Sequence, residues 1–82
     1  DTVLEVGSGD VQLVRTDVPA PLEGRPVREV SALGEVQVMA ISRNNETFIP
    51  TLGTLLEHGD VVYAAVASSA SGKFAYMLGQ SE

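Results

Sequence analysis

Apolar residues fall along this chain in short blocks separated by turn-forming residues, and the period changes from block to block. From Val11 to Val18 the segment VQLVRTDV combines high strand propensity with partial alternation, and it stops at PAP, whose prolines cannot donate to a ladder. In LEGRPVREVSALG, Leu22, Val30 and Leu33 recur at roughly helical spacing, Pro26 suits a first helical position, and Gly24 and Gly34 bracket the segment. It is predicted to be a helix of about two turns. EVQVMAIS reads as a central strand apolar on both faces, with Val36, Val38 and Ala40 on one side and Met39 and Ile41 on the other. Arg43, Asn44 and Asn45 break the pattern before ETFIP, and asparagine tolerates the left-handed backbone of tight turns, so Val36 to Pro50 is predicted to be a β-hairpin.

TLGTLLEHGD then forms a compact connection whose leucines, Leu52, Leu55 and Leu56, are expected to point inward. Gly59 supplies a positive φ at HGD, and VVYAAVA is the last strand. The tail SSASGKFAYMLG has serines able to cap, a group of apolar residues and Gly79 as a stop, which predicts a short final helix. Residues 1–10, DTVLEVGSGD, read as a linker or added strand, and residues 11–80 as the domain proper. The fold class expected is α+β: a small single domain ordered strand, helix, β-hairpin, strand, helix.

Length sharpens this picture. At 82 residues the chain has room for one core, and with aromatics at 5 % that core must be built from Val, Leu, Ile and Ala. A slight aliphatic core is often supplemented by a second copy, so a dimer is expected. The absence of cysteine excludes disulfides, thiolate metal sites and cysteine catalysis, and is compatible with a reducing compartment. The longest apolar run, Val61 to Ala67, is far shorter than the roughly 20 residues of a membrane helix, so no direct membrane insertion is expected. No secretory signal opens the chain, and a start at Asp1 suggests a piece of something longer. A formal net charge of −6 argues against nucleic acid as a partner. A small anion can still bind where cations converge, and Arg15, Arg25, Arg28 and Arg43 lie in or near the first half.

Three segments, PLEGRPVREV, VQVMAISRNNETFIP and TLLEHGDVVYAAV, carry a resemblance to the C-terminal regulatory domain of TrkA-type potassium-uptake proteins, the TrkA-C or RCK C-terminal domain. They are similar to that family's lvGktlrel, vvaIxRxgxxixP and tlxxGDxlxvxg, in the same order and over about Val11 to Leu78. Where the family usually places a glycine turn this chain has Asn44-Asn45-Glu46. The resemblance implies a noncatalytic, cytoplasmic, dimeric module, peripheral to the plasma membrane through a potassium-translocating membrane subunit that it helps to gate. It needs no cofactor of its own and implies cyclic di-AMP as a ligand in some members. The alternative is the same module fused to an antiporter or anion permease and serving assembly.

The candidate ligand-binding residues are Arg43 with its hairpin neighbours Ile41 and Asn44, joined by Arg25 and Arg28 if helix and hairpin face each other. Arg43 has two readings: a fork that takes a phosphate, or the first solvated residue after a buried strand, its stem over apolar surface and its head in water. The second is favoured, because the resemblance places an arginine here in members with different ligands or none. Other candidates are weaker. Gly7-Ser8-Gly9-Asp10 lacks the third glycine and following helix of a dinucleotide loop, and Ser71-Gly72-Lys73 lacks the upstream glycine of a phosphate loop. His58, between Glu57 and the Gly59-Asp60 turn, has too few companions for a zinc site and no nucleophile to serve, so a hydrolase using it with a serine is remote. Asn45-Glu46-Thr47 matches a glycosylation sequon but reads as a hairpin turn.

Overall fold

A computed structural model describes residues 2–79. Asp1 and Gln80, the outer ends of the two segments expected from sequence, lie outside the described residues. Five strands, β1 (Thr2–Val6), β2 (Val11–Asp17), β3 (Val36–Arg43), β4 (Glu46–Phe48) and β5 (Val61–Ala67), form one antiparallel sheet in the order β1-β2-β5-β3-β4. One helix, α1 (Ser71–Met77), continues from a 3-10 turn at Ser68–Ala70. Among the described residues no helix is long and apolar enough to cross a membrane.

The last strand to be made is the middle of the sheet. Val62, Ala64 and Val66 of β5 are buried while their neighbours in between are half-buried, the period-2 pattern of a strand with one covered face. On the covered side Phe74 of α1 and Leu78 at its C-cap pack with Val27 and Val30 over β3 and β5. The serines do not cap α1. Its N-cap is Ala70 with no side-chain bond, because the 3-10 turn runs straight into the helix and the Ser68 hydroxyl donates instead to the Gly9 carbonyl.

Three local expectations are corrected. The helix predicted between Gly24 and Gly34 is a single 3-10 turn, Val27–Val30, preceded by a second at Ala20–Leu22. Extended Pro26 bridges Leu55, and the Val27 and Arg28 amides donate to the Thr54 and Leu52 carbonyls, so the backbone is tied to the connection rather than wound on itself. Leu33, far from packing with Leu22, is fully exposed. Of the three connection leucines only Leu56 is buried; Leu52 and Leu55 face outward. Leu55 and Leu56 sit on an extended bridging segment, where adjacent side chains take opposite sides.

The third correction concerns β3. Val38 pairs with Ala64 and Ala40 with Tyr63, so Met39 is an extra residue and the strand carries a β-bulge. The bulge flips the phase: Val36, Val38 and Ile41 share the core face, where simple alternation had put Ile41 opposite the other two. The hairpin itself is as expected. Arg43 pairs with Glu46 across Asn44 and Asn45, whose φ values of 52° and 67° supply the two left-handed residues that a two-residue turn of this kind needs.

Candidate functional site

The first half of β3 has a free edge. β4 pairs only with Ile41 to Arg43, and on the other flank Ala32 exchanges backbone bonds with Val36. Between them an antiparallel ladder alternates inward and outward bonding; Ala67 donates to the Glu35 carbonyl, so Val38 turns its N–H and C=O away from β5. Val38 lines a groove of about 690 Å³ together with Leu33, Gly34, Pro50 and Leu52. The volume is that of a small-molecule site.

Arg28 stands at this groove. Its guanidinium lies against Gly53, where an added Cβ would be 3.7 Å from Nη2. Among the described residues Arg25, Arg43 and Lys73 are held in ion pairs, with Glu29, Asp60 and Glu35 respectively; Arg28 is in none. An uncommitted guanidinium beside an apolar wall and a backbone donor–acceptor pair suits an anion that also carries a flat, hydrogen-bonding portion.

Arg43 is placed differently. Its Nε donates to Asp60 Oδ1 at 2.8 Å, and its Nη2 to Asp60 Oδ2 at 2.7 Å and to the Leu55 carbonyl at 2.9 Å. Nη1 lies 3.2 Å from Glu57 Oε2, and the guanidinium sits 5.2 Å from the Phe48 ring centre. Most of its five N–H groups are thus spent, and one positive charge faces two carboxylates, an arrangement that repels a further anion. Asp60 is fully buried and also accepts the Glu57 amide at 2.9 Å. The Arg43 fork holds the Asp60 carboxyl below its usual range against the opposing effect of burial, and Asp60 in turn raises Arg43.

The remaining sequence candidates are not brought together with these. Ile41 is completely buried in the core, Asn44 is exposed on the hairpin turn, and Arg25 is clipped to Glu29 by Nε contacts of 3.1 Å. Sequence reasoning named Arg28 but missed the Val38 edge, for which the bulge left no signal, and the Arg43–Asp60 pair, whose members are 17 residues apart. His58, exposed at its turn, places Nδ1 2.8 Å from Glu23 Oε2, which raises its pKa. Its midpoint, followed by NMR, is expected above the ordinary imidazole value and to fall toward it in Glu23→Gln. Because the folded value is the raised one, the pair's contribution to stability is complete below the ordinary value and fades as pH rises through the raised one.

Comparison with known proteins comes last. The family model of the TrkA-C domain matches residues 11–79, from the first residue of β2 to the end of the described chain, leaving β1 outside it. No curated protein matches. Among solved structures, the GsuK channel bound to NAD and the GsuK channel each align with a TM-score of 0.69 at 17 % identity, over 88 % of this chain and 14 % of theirs. An RCK domain with cda aligns with a TM-score of 0.63 at 22 % identity, over 85 % of this chain and 97 % of that one. This chain therefore spans a small part of the channel proteins and nearly all of the RCK domain, and at these identities the likeness is one of fold.

Proposed function

The chain belongs to the TrkA-C domain family, and from that premise we propose that it is a noncatalytic regulatory module of a potassium-transport protein, binding a small anionic ligand in the groove beside Arg28. The observation that carries this reading is the guanidinium of Arg28, which is in no ion pair among the described residues and is set at a groove with a free backbone edge. A cyclic dinucleotide has the required parts: a phosphate for Arg28 and a base whose donor and acceptor edge matches Val38. Cyclic di-AMP is the first candidate, supported by the similarity to an RCK domain with cda, and NAD the second, supported by the likeness to a channel bound to it. The module would sit on the cytoplasmic side, attached through its parent protein to a potassium-translocating subunit, and work as a dimer. A ligand biases such an assembly only as far as its affinity differs between two geometries.

Arg43 has a structural part in this reading. It holds the Leu55–Asp60 connection to the end of β3.

Calorimetric titration of the domain with cyclic di-AMP, NAD and ATP at physiological salt tests the proposal. Saturable binding of one of the first two is expected, weakened about 10- to 100-fold in Arg28→Ala, as fits loss of a charge-assisted contact, and unchanged in Arg25→Ala. Absence of saturable heat, or equal binding by Arg28→Ala, would overturn it.

A further inference from the structure

Among the described residues two charged side chains belong to the lining of the groove, Arg28 and Glu35. A carboxylate is an odd companion for a guanidinium that takes an anion, yet the backbone fixes it there. Gly34 turns the chain with a φ of 77°, the Glu35 amide donates to the Ala32 carbonyl at 2.8 Å, and the Glu35 carbonyl accepts the Ala67 amide at 2.8 Å. Ala67 ends β5, and the chain runs from it through Ser68–Ala70 straight into α1. Lys73, on the first turn of that helix, is thereby brought to the same carboxylate, and its Nζ donates to Glu35 Oε1 although the two are 38 residues apart. Lys73 does not itself line the groove.

We propose that Glu35, with Lys73 as its counter-ion, determines which phosphates the groove accepts: a phosphodiester, with one negative charge, is taken and a terminal phosphate is turned away. This rests on the ligand reading given above and adds the class of phosphate to it. Counting local charge carries the argument. Arg28 contributes one positive charge, while Glu35 and Lys73 cancel each other. Glu29, a carboxylate that also feels the Arg28 charge, is clipped to Arg25. The groove is thus set to a single positive charge inside a molecule of net charge −6, whose wider field repels any surplus anion. A terminal phosphate carries about 1.5 to 2 negative charges at neutral pH, and the excess meets Glu35 with no cation left to balance it. Placing a like charge against a close relative of the ligand is a general route to specificity. Stability gives the pair little reason to exist, since both side chains are about half exposed and such pairs contribute little.

Calorimetry comparing cyclic di-AMP, whose phosphates are both diesters, with the linear dinucleotide pApA, which ends in a terminal phosphate, reads the selectivity directly. The parent is expected to favour the cyclic form. Glu35→Gln leaves Arg28 and Lys73 unopposed and should narrow that preference about 10-fold, whereas Lys73→Met should weaken both ligands about 10-fold. The double variant has the parent's local charge and is expected to bind within about threefold of it, where two merely structural losses would add. A second measurement needs no ligand. The chain has no cysteine, so Leu33→Cys, at a fully exposed position of the groove wall, supplies a single thiol. Its rate with the dianionic dithiobis-nitrobenzoate, divided by its rate with neutral dithiodipyridine, reports the local charge. At low salt that ratio should rise about fivefold with Glu35→Gln, fall about fivefold with Lys73→Met and return in the double variant. Glu46→Gln, which removes one negative charge at the start of β4, should leave it unchanged. A parent that binds neither nucleotide would overturn the ligand reading and the selectivity with it. A parent that binds, with a preference and thiol ratios unmoved by Glu35→Gln or with additive losses in the double variant, would overturn the selectivity alone.

Discussion

Replacing Asp60 with Asn is expected to destabilise the domain by about 3 kcal/mol, the usual scale for breaking a buried pair by removing one partner, and so to lower the melting temperature by about 15 °C. The carboxylate is fully buried and accepts three bonds, two from the Arg43 fork and one from the Glu57 amide; a carboxamide keeps a single acceptor oxygen and cannot serve both arms of the fork. An asparagine keeps the shape but presents an NH2 to a guanidinium that already has only donors. The pH dependence separates charge from shape. Since the folded pKa of Asp60 is depressed, its contribution is present above the ordinary carboxylate value and lost as pH falls through the lower folded one. Thermal melts between neutral pH and pH about 2.5 should therefore show the parent losing more stability in acid than Asp60→Asn does. A change below about 1 kcal/mol at neutral pH would mean that the pair is balanced by its own desolvation.

Ile41→Ala should cost about as much, roughly 3 kcal/mol, from lost burial and the cavity left behind. Ile41 has no exposed surface and packs with the core residues of β5 and the turn at Val27–Val30. Ligand affinity, measured where the variant is still folded, should remain within about twofold, since Ile41 itself does not line the groove. Chemical denaturation and calorimetry on the same sample decide it: intact stability with lost binding would move Ile41 from the core to the ligand.

That Ile41 belongs to the core was hidden in the sequence by the very feature that made the strand easy to find. Val36, Val38, Met39, Ala40 and Ile41 are nearly all apolar, so propensity names the strand while no polar residue marks its phase, and an inserted residue passes unseen. Asn44-Asn45 declared its turn because few residues accept that backbone. The 3-10 turn at Val27–Val30 was misread as a longer helix since four residues contain barely one period. Arg43 reads in the sequence as the first solvated residue past the strand, yet it is the last residue of β3 and its guanidinium is held by a turn 17 residues on, a pairing decided by tertiary packing alone. Arg28 drew notice only as one arginine among several. What singles it out is that its neighbours are all taken, which no local pattern records.

β5 occupies the centre of the sheet but is nearly the last segment of the chain, pairing with β2 some 50 residues earlier at its far end and with β3 on its other side. As the polypeptide leaves the ribosome, β1–β2 and β3–β4 are two separate hairpins, each marginal in water by itself. Neither has anything to lean on until Val61–Ala67 emerges, and α1 then finds its docking surface already complete. Folding of this domain is thus postponed to the close of its own synthesis, with the slow, long-range closure typical of sheets built from distant strands.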